Sequence, residues 1–294
     1  MTEIAKVEGL RKSFGKFQAL NDVSLTVEAG EVVGFIGPNG AGKSTTIRIL
    51  LGVLKRDAGR AEIFGLDVWK DSFEIHKRIS YVPGDVTLWG NLTGGEIIDL
   101  FIKLHGGGDK QKRDYLIRRF ELDTKKKAKG YSKGNRQKVG LIAALSVESD
   151  FYIFDEPTSG LDPLMEAIFQ EEVKKLKEAG KSILLSSHVL SEVEALADKV
   201  VIIRQGKIVE AGSLDQLRHL TRSTITLATK GDVAEIATVD GVFDFEQKEN
   251  QATFSAENKA LDAILMKASQ LGVKKFEAVP PTLEDLFMRH YKGE

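Results

Sequence analysis

The chain opens on short β-prone runs. Residues 4–10, 17–20 and 23–27 are rich in Val, Ile, Leu and Phe, with Gly15 and Ala29-Gly30 as punctuation. Residues 32–36 (Val-Val-Gly-Phe-Ile) carry no polar side chain, as expected of a strand buried on both faces. Gly37-Pro38-Asn39-Gly40-Ala41-Gly42 breaks that run. Residues 43–54 resume at helical spacing, with Ile47, Leu50, Leu51 and Leu54 on one face. A strand over 79–82 ends at Pro83-Gly84. From about 93 to 147 the pattern is helical, through 97–104, 115–122 and 139–147. A second buried-strand run, 151–154, leads into Asp155-Glu156-Pro157. A helix over about 163–179, a strand over 182–185, a short helix over 189–196 and a strand over 200–204 follow. This alternation predicts an α/β unit with a mostly parallel sheet covered on both faces.

The pattern changes near Leu220. Residues 223–228, 242–246, 252–255 and 273–279 read as strands, and 232–236 and 259–271 as helical stretches. The order β-α-β-β-α-β matches a small α+β unit of ferredoxin-like type. A final helix over 283–291 is expected after Pro280-Pro281. The expected domains are 1–221, with a helical subdomain over about 84–150, and 222–294.

Composition bounds the function. A length of 294 residues suits two domains. The 42 basic and 43 acidic residues leave a net charge of −1, so binding nucleic acid through an overall positive field is not expected. There is no cysteine, which removes disulfides and thiolate metal sites and suits a reducing compartment. No apolar run approaches the roughly 18–20 residues that span a bilayer. The opening residues lack the apolar centre of a secretion signal. A soluble chain that stays where it is made is the expectation.

Gly37 to Ser44 satisfies G-x-x-x-x-G-K-S, and it stands where a phosphate loop must stand, between a buried strand and a helix. Gly37, Asn39, Gly40 and Gly42 let backbone N–H groups converge on phosphate oxygens at a helix N-terminus. Lys43 is placed to reach the β- and γ-phosphates of a bound nucleotide. The Ser44 hydroxyl is placed to ligate Mg²⁺, and Thr45 offers a further N–H and hydroxyl. A plain glycine-rich turn is the alternative. Asp155 ends a buried strand, where open α/β sheets bind ligands, and suits Mg²⁺; Glu156, one residue on, suits polarising an attacking water. Two acids opening an exposed loop would look the same in isolation.

Four further segments occur in order. They are Lys12-Ser13-Phe14-Gly15, Tyr131-Ser132-Lys133-Gly134-Asn135-Arg136-Gln137-Lys138, Asp155-Glu156-Pro157-Thr158-Ser159-Gly160-Leu161-Asp162 and Ser186-Ser187-His188. With the phosphate loop they resemble the ATP-binding subunits of ABC transporters over about residues 3–220. The likeness is to stand-alone exporter-type subunits with a C-terminal extension. It implies a P-loop NTPase fold with an ABC-type mixed sheet and helical subdomain. It also implies that Phe14 stacks on adenine, His188 meets the γ-phosphate and Asp162 belongs to the loop after the catalytic acid. Ser132 and Gly134, at a helix start, would contact the γ-phosphate held by a second copy, giving an ATP-induced homodimer. The implied function is ATP hydrolysis powering transport, export in particular, by a separate membrane-spanning subunit. The implied location is the cytoplasmic face of the membrane. The region over about 84–147, with the 83–90 loop, would meet that partner.

The sequence also departs from the family pattern. Tyr81-Val82-Pro83 is followed by Gly84-Asp85 where the family has Gln, leaving open whether Asp85 substitutes. Tyr131, Lys133 and Asn135 replace the usual Leu, Gly and Gln. Lys133 is open between a phosphate contact and solvent. The run Lys125-Lys126-Lys127-Ala128-Lys129 reads as a solvated connector. Two other functions stand beside the transporter reading: a soluble ABC ATPase without a transporter, and an ATP-responsive regulator without turnover. The C-terminal domain is expected to be regulatory or to contribute dimer contacts.

Overall fold

A computed structural model of the chain describes residues 2–219, 222–279 and 284, with the side chains of Asp215, Arg218 and His219 left aside. Two compact units divide between Ala211 and Gly212. The first begins with β1 (Glu3–Phe14), β2 (Phe17–Glu28), β3 (Val32–Ile36), α1 (Lys43–Leu50), β4 (Ala58–Ile63), β5 (Leu66–Asp67), α2 (Ser72–His76) and β6 (Ile79–Val82). Three helices follow: α3 (Gly94–Leu104), α4 (Lys110–Arg119) and α5 (Lys133–Leu145). The chain returns through β7 (Phe151–Asp155), α6 (Pro163–Glu178), β8 (Ser182–Ser187), α7 (Leu190–Leu196), β9 (Lys199–Arg204) and β10 (Lys207–Ser213).

Two sheets result. One is antiparallel, in the order β2-β1-β4-β5, and the other is six-stranded, β10-β9-β3-β8-β7-β6. In the larger sheet β3 pairs in parallel with β8 and β9, and β7 with β6 and β8. All residues of β3, β7 and β8 are buried, as a parallel strand covered on both faces requires. Ile36 pairs with Ser187 and Asp155 with Ser186, so Gly37, Glu156 and His188 leave the sheet at one edge. A core including Val7, Leu20, Phe35, Ile47, Ile153 and Leu184 packs beneath that edge.

The expected mostly parallel sheet is the six-stranded one, and the antiparallel four-stranded sheet adds to it. Residues 17–20 and 23–27 join into the single strand β2, because Asp22 takes φ 65° and the break becomes a bulge. Three strands went unread: β4, β5 and β10, whose positions are mostly half-buried or exposed and so carry little continuous apolar pattern. The first helix stops at Leu50, short of residue 54. Gly52 there takes φ 67°, and a β-carbon on it would meet the Val68 carbonyl oxygen at 2.3 Å.

The three central helices start on identifiable caps. Thr93 and Glu96 form a reciprocal capping box on α3, Asp109 caps α4 and Ser132 caps α5. Tyr131 reaches back beneath α3 and donates its hydroxyl to the Asp123 carbonyl. Only glycine leaves it room, since a β-carbon on Gly94 would lie 2.2 Å from that hydroxyl. The replacement of leucine by Tyr131 therefore serves packing.

The second unit contains α8 (Leu214–His219), β11 (Ser223–Thr229), β12 (Val242–Lys248), β13 (Gln251–Ala256), α9 (Leu261–Leu271) and β14 (Val273–Val279). Its sheet runs β12-β13-β11-β14 with every pair antiparallel, which is the ferredoxin-like arrangement. The first crossover is a short 3-10 helix, Val233–Thr238, in place of an α-helix. Ile225, Leu227, Phe254 and Ile264 anchor a separate core. The helix expected over 283–291 lies outside the described residues apart from Glu284.

Candidate functional site

The loop after β3 is shaped by steric necessity. A β-carbon on Gly37 would meet the Ile203 carbonyl oxygen at 2.3 Å, and one on Gly42 the Leu20 side chain at 2.7 Å. Gly40 and Gly42 take φ 80° and 116°, left-handed values that glycine tolerates. Gly42 caps α1 with no side-chain bond to its first turn, so amide donors of that turn stay open toward the loop. Lys43 is buried at 5% exposure. Its Nζ donates to the carbonyls of Gly37 (2.6 Å) and Pro38 (3.3 Å), drawing the loop around the amine. Ser44 and Thr45 are half-buried behind it, and Thr46 bonds back to the Gly42 carbonyl. Asn39 and Gly40 are exposed at the tip.

Across the edge, Asp155 is buried and accepts a 2.5 Å hydrogen bond from the Ser186 hydroxyl. Glu156 follows at φ 50°, a left-handed conformation unusual for a glutamate and held by two bonds from its N–H, to the Ser186 carbonyl and hydroxyl. Its carboxylate stands between two nitrogen-bearing side chains. Oε1 is 3.4 Å from Lys43 Nζ, and Oε2 is 3.3 Å from His188 Nδ1. Lys43, Asp155, Glu156 and His188, up to 145 positions apart in the chain, thus meet at one sheet edge. Beside them, burial and the Asp155 carboxylate push the Tyr81 phenol up to about 12. Sequence reasoning passed over Tyr81 as part of a strand, and Ser186 as a flank of the histidine.

The remaining candidates have local roles. Phe14 is half-exposed at the tip of the β1–β2 hairpin, with Lys12 Nζ 5.6 Å from its ring centroid. Asp162 caps α6, accepting from the Met165 N–H at 3.0 Å, with Pro163 at the first helical position. Ser132 accepts the Asn135 N–H. Gly134 packs on Gly160, and Lys133 donates to the Ser159 hydroxyl at 2.7 Å. Gly84 sits against Asp155, its position for a β-carbon 3.0 Å from that carbonyl oxygen, while Asp85 is exposed. Among the described residues no cluster of His, Cys, Asp and Glu is arranged to hold a metal by itself.

A phosphate-shaped loop and buried lysine after β3, and an acid after β7 on the far side of β8, define a nucleotide-binding cassette. The family profile described as ABC transporter matches residues 20–159. That described as ATP-binding protein DrrA1-3-like, C-terminal domain, matches 212–291. The daunorubicin resistance ATP-binding protein DrrA3 of Streptomyces coeruleorubidus is 32% identical over 98% of this chain and 95% of its own. The linearmycin resistance ATP-binding protein LnrL of Bacillus subtilis is 30% identical over 96% of each. A solved ATP-binding subunit of an ABC transporter superposes with a TM-score of 0.68 at 32% identity, over 74% of this chain and 92% of that one. The chain belongs to the ATP-binding proteins of ABC transporters.

Proposed function

We propose that this chain binds Mg·ATP at the loop after β3 and hydrolyses it to drive export through a separate membrane-spanning subunit. The observation that carries the reading is the seat of Glu156, between the buried Lys43 and His188 at the mouth of the glycine loop. The site suits the ligand. The loop is shaped where side chains would collide, the amine is already buried, and Asp155 keeps an oxygen beyond its bond to Ser186. Ser44 and Asp155 would hold the magnesium ion, which would supply positive charge to the β- and γ-phosphate oxygens.

The chain's own residues divide the remaining work. Lys43 exchanges its carbonyl partners for phosphate oxygens, a stronger charge-assisted pairing. The open amides of α1 and the loop hold phosphate where the helix potential favours an anion. Glu156 accepts a hydrogen bond from the attacking water and aims it, and His188 supports that carboxylate from its far side. Phe14 stacks on adenine, and Asp162 holds the loop beyond the acid by capping α6. Thr45 adds a donor to the phosphates.

Ser132 and Gly134 reach the γ-phosphate of a second copy, so ATP favours a closed pair. A neighbour with the same fold, a bacterial ABC transporter cassette, was solved as a dimer; its TM-score is 0.65 at 23% identity, over 71% of this chain and 98% of that one. Among the described residues no helix is long and apolar enough to cross a membrane, which supports a separate spanning partner. Drug resistance in the names of two full-length relatives supports export. The residues 222–294 then serve as a regulatory or dimer-contact domain.

The test is Glu156→Gln. The variant is expected to bind ATP, lose nearly all turnover and accumulate as an ATP-bound dimer on size-exclusion chromatography. A variant that still turns over at the wild-type rate would sink the reading.

A further inference from the structure

Glu192 has no part in the site as described, yet it is among the most deeply buried acids of the first unit, at 3% exposure. It stands on α7, which packs on β3, β8 and α6. The approach to β3 is close because Gly34 faces α7. A β-carbon there would lie 2.2 Å from Val193 Cγ1, so the residue next to Glu192 is fixed against the central strand. From this anchored position Oε2 accepts two hydroxyl bonds. One comes from Ser187 at 2.7 Å and the other from Thr158 at 3.4 Å. Among the described residues Oε1 has no hydrogen-bond partner.

The two hydroxyls belong to the two turns that make the site. Ser187 precedes His188, and its oxygen also accepts the Val189 N–H at 2.9 Å, closing a turn around the histidine. Thr158 lies two residues after Glu156, in the segment that continues to Ser159 and Gly160. One carboxyl therefore ties the histidine turn to the glutamate turn from beneath. We propose that Glu192 is a positioning residue: through Ser187 and Thr158 it holds His188 and Glu156 at their 3.3 Å separation. The inference rests on the hydrolytic reading above.

The charge environment explains how a carboxyl can do this without disturbing Glu156. The acids that reach Glu192 are Glu166 on α6 and Glu156 itself, while β3 and β8 contain no titratable residue. The neighbouring His188 imidazole is turned to Glu156. Burial, reinforced by the two like charges and opposed by the two hydroxyl bonds, raises the Glu192 carboxyl to about 7. Its proton, when present, sits on the unpartnered Oε1, and the tie then carries no negative charge. Ionisation puts a second anion beneath Glu156.

The experiment compares wild type, Glu192→Ala and Glu192→Gln in steady-state ATP hydrolysis from pH 6 to 9, with Lys43→Ala and Glu156→Gln as controls. Loss of the tie in Glu192→Ala is expected to lower kcat about tenfold to a hundredfold, the cost of a small misplacement, with KM for ATP within about threefold. Glu192→Gln keeps an oxygen for both hydroxyls and is expected to restore the rate to within about threefold of wild type. Wild-type kcat should fall as pH rises past about 7, and the Gln variant should lack that limb. Wild-type turnover by Glu192→Ala, or equal damage in Glu192→Gln and Glu192→Ala, overturns the inference. Should Glu192→Ala not fold, the pH profiles of wild type and Glu192→Gln decide it, and coincident profiles overturn it. Wild-type turnover by Lys43→Ala and Glu156→Gln would instead overturn the hydrolytic reading itself.

Discussion

Gly134 and Gly160 touch so closely that a β-carbon on the former would meet the carbonyl oxygen of the latter at 2.3 Å. The start of α5 and the loop beyond Glu156 are thereby packed together within one chain, and Lys133 adds its bond to Ser159. Gly134→Ala must push backbone away from backbone, which side-chain motion cannot relieve. A loss of about 1–3 kcal/mol is expected, read as a lower urea midpoint. An unchanged midpoint would mean that the contact is loose in solution.

Lys43 is expected to govern nucleotide affinity. Lys43→Ala removes the one buried cation of the loop and leaves the Gly37 and Pro38 carbonyls without their donor. Titration with a fluorescent ATP analogue should show Kd rising at least about tenfold, the worth of one charge-assisted bond.

His188 is half-exposed, and its Nδ1 lies 3.3 Å from the Glu156 carboxylate. His188→Ala is therefore expected to leave folding intact and to lower kcat by about a hundredfold or more, with a smaller change in KM. Equal losses in thermal stability and activity would assign it a structural role.

Glu192 also makes stability depend on pH. Its folded value near 7 stands above the ordinary 4.5, so the native state keeps a proton that the unfolded chain releases. Its contribution is fully present below about pH 4.5 and is lost as pH rises through 7, to a limit of about 3 kcal/mol. Urea unfolding at pH 5 and pH 8 should show wild type losing stability relative to Glu192→Gln. Parallel behaviour of the two proteins would contradict this.

The second unit has its own core, so a cavity there should act locally. Phe254 is 1% exposed and stacks on Phe245. Phe254→Ala is expected to cost that unit about 3–5 kcal/mol while ATP affinity stays at the wild-type value. Isothermal titration with ATP, alongside calorimetric unfolding, checks both halves of the statement.

The chain's own pattern determined the parts that depend on near neighbours. Residues 32–36 and 151–154 announced β3 and β7 because strands buried on both faces must be apolar at every position. The glycine loop, Lys43, Asp155, Glu156 and His188 were legible because each stands at a strand end, where a change of pattern marks the spot. The strands β4, β5 and β10 were not legible, since positions that are mostly half-buried or exposed give little continuous apolar run to distinguish them from loops.

Tertiary structure alone decided what touches what. Parallel pairing of β7 and β8 brings Glu156 to His188, and the close packing allowed by Gly34 sets Glu192 beneath both. Ser186 and Glu192 look in sequence like any serine and any helical acid. Their importance comes from burial beside a site assembled from distant segments, and burial of a polar group is a property of the folded chain.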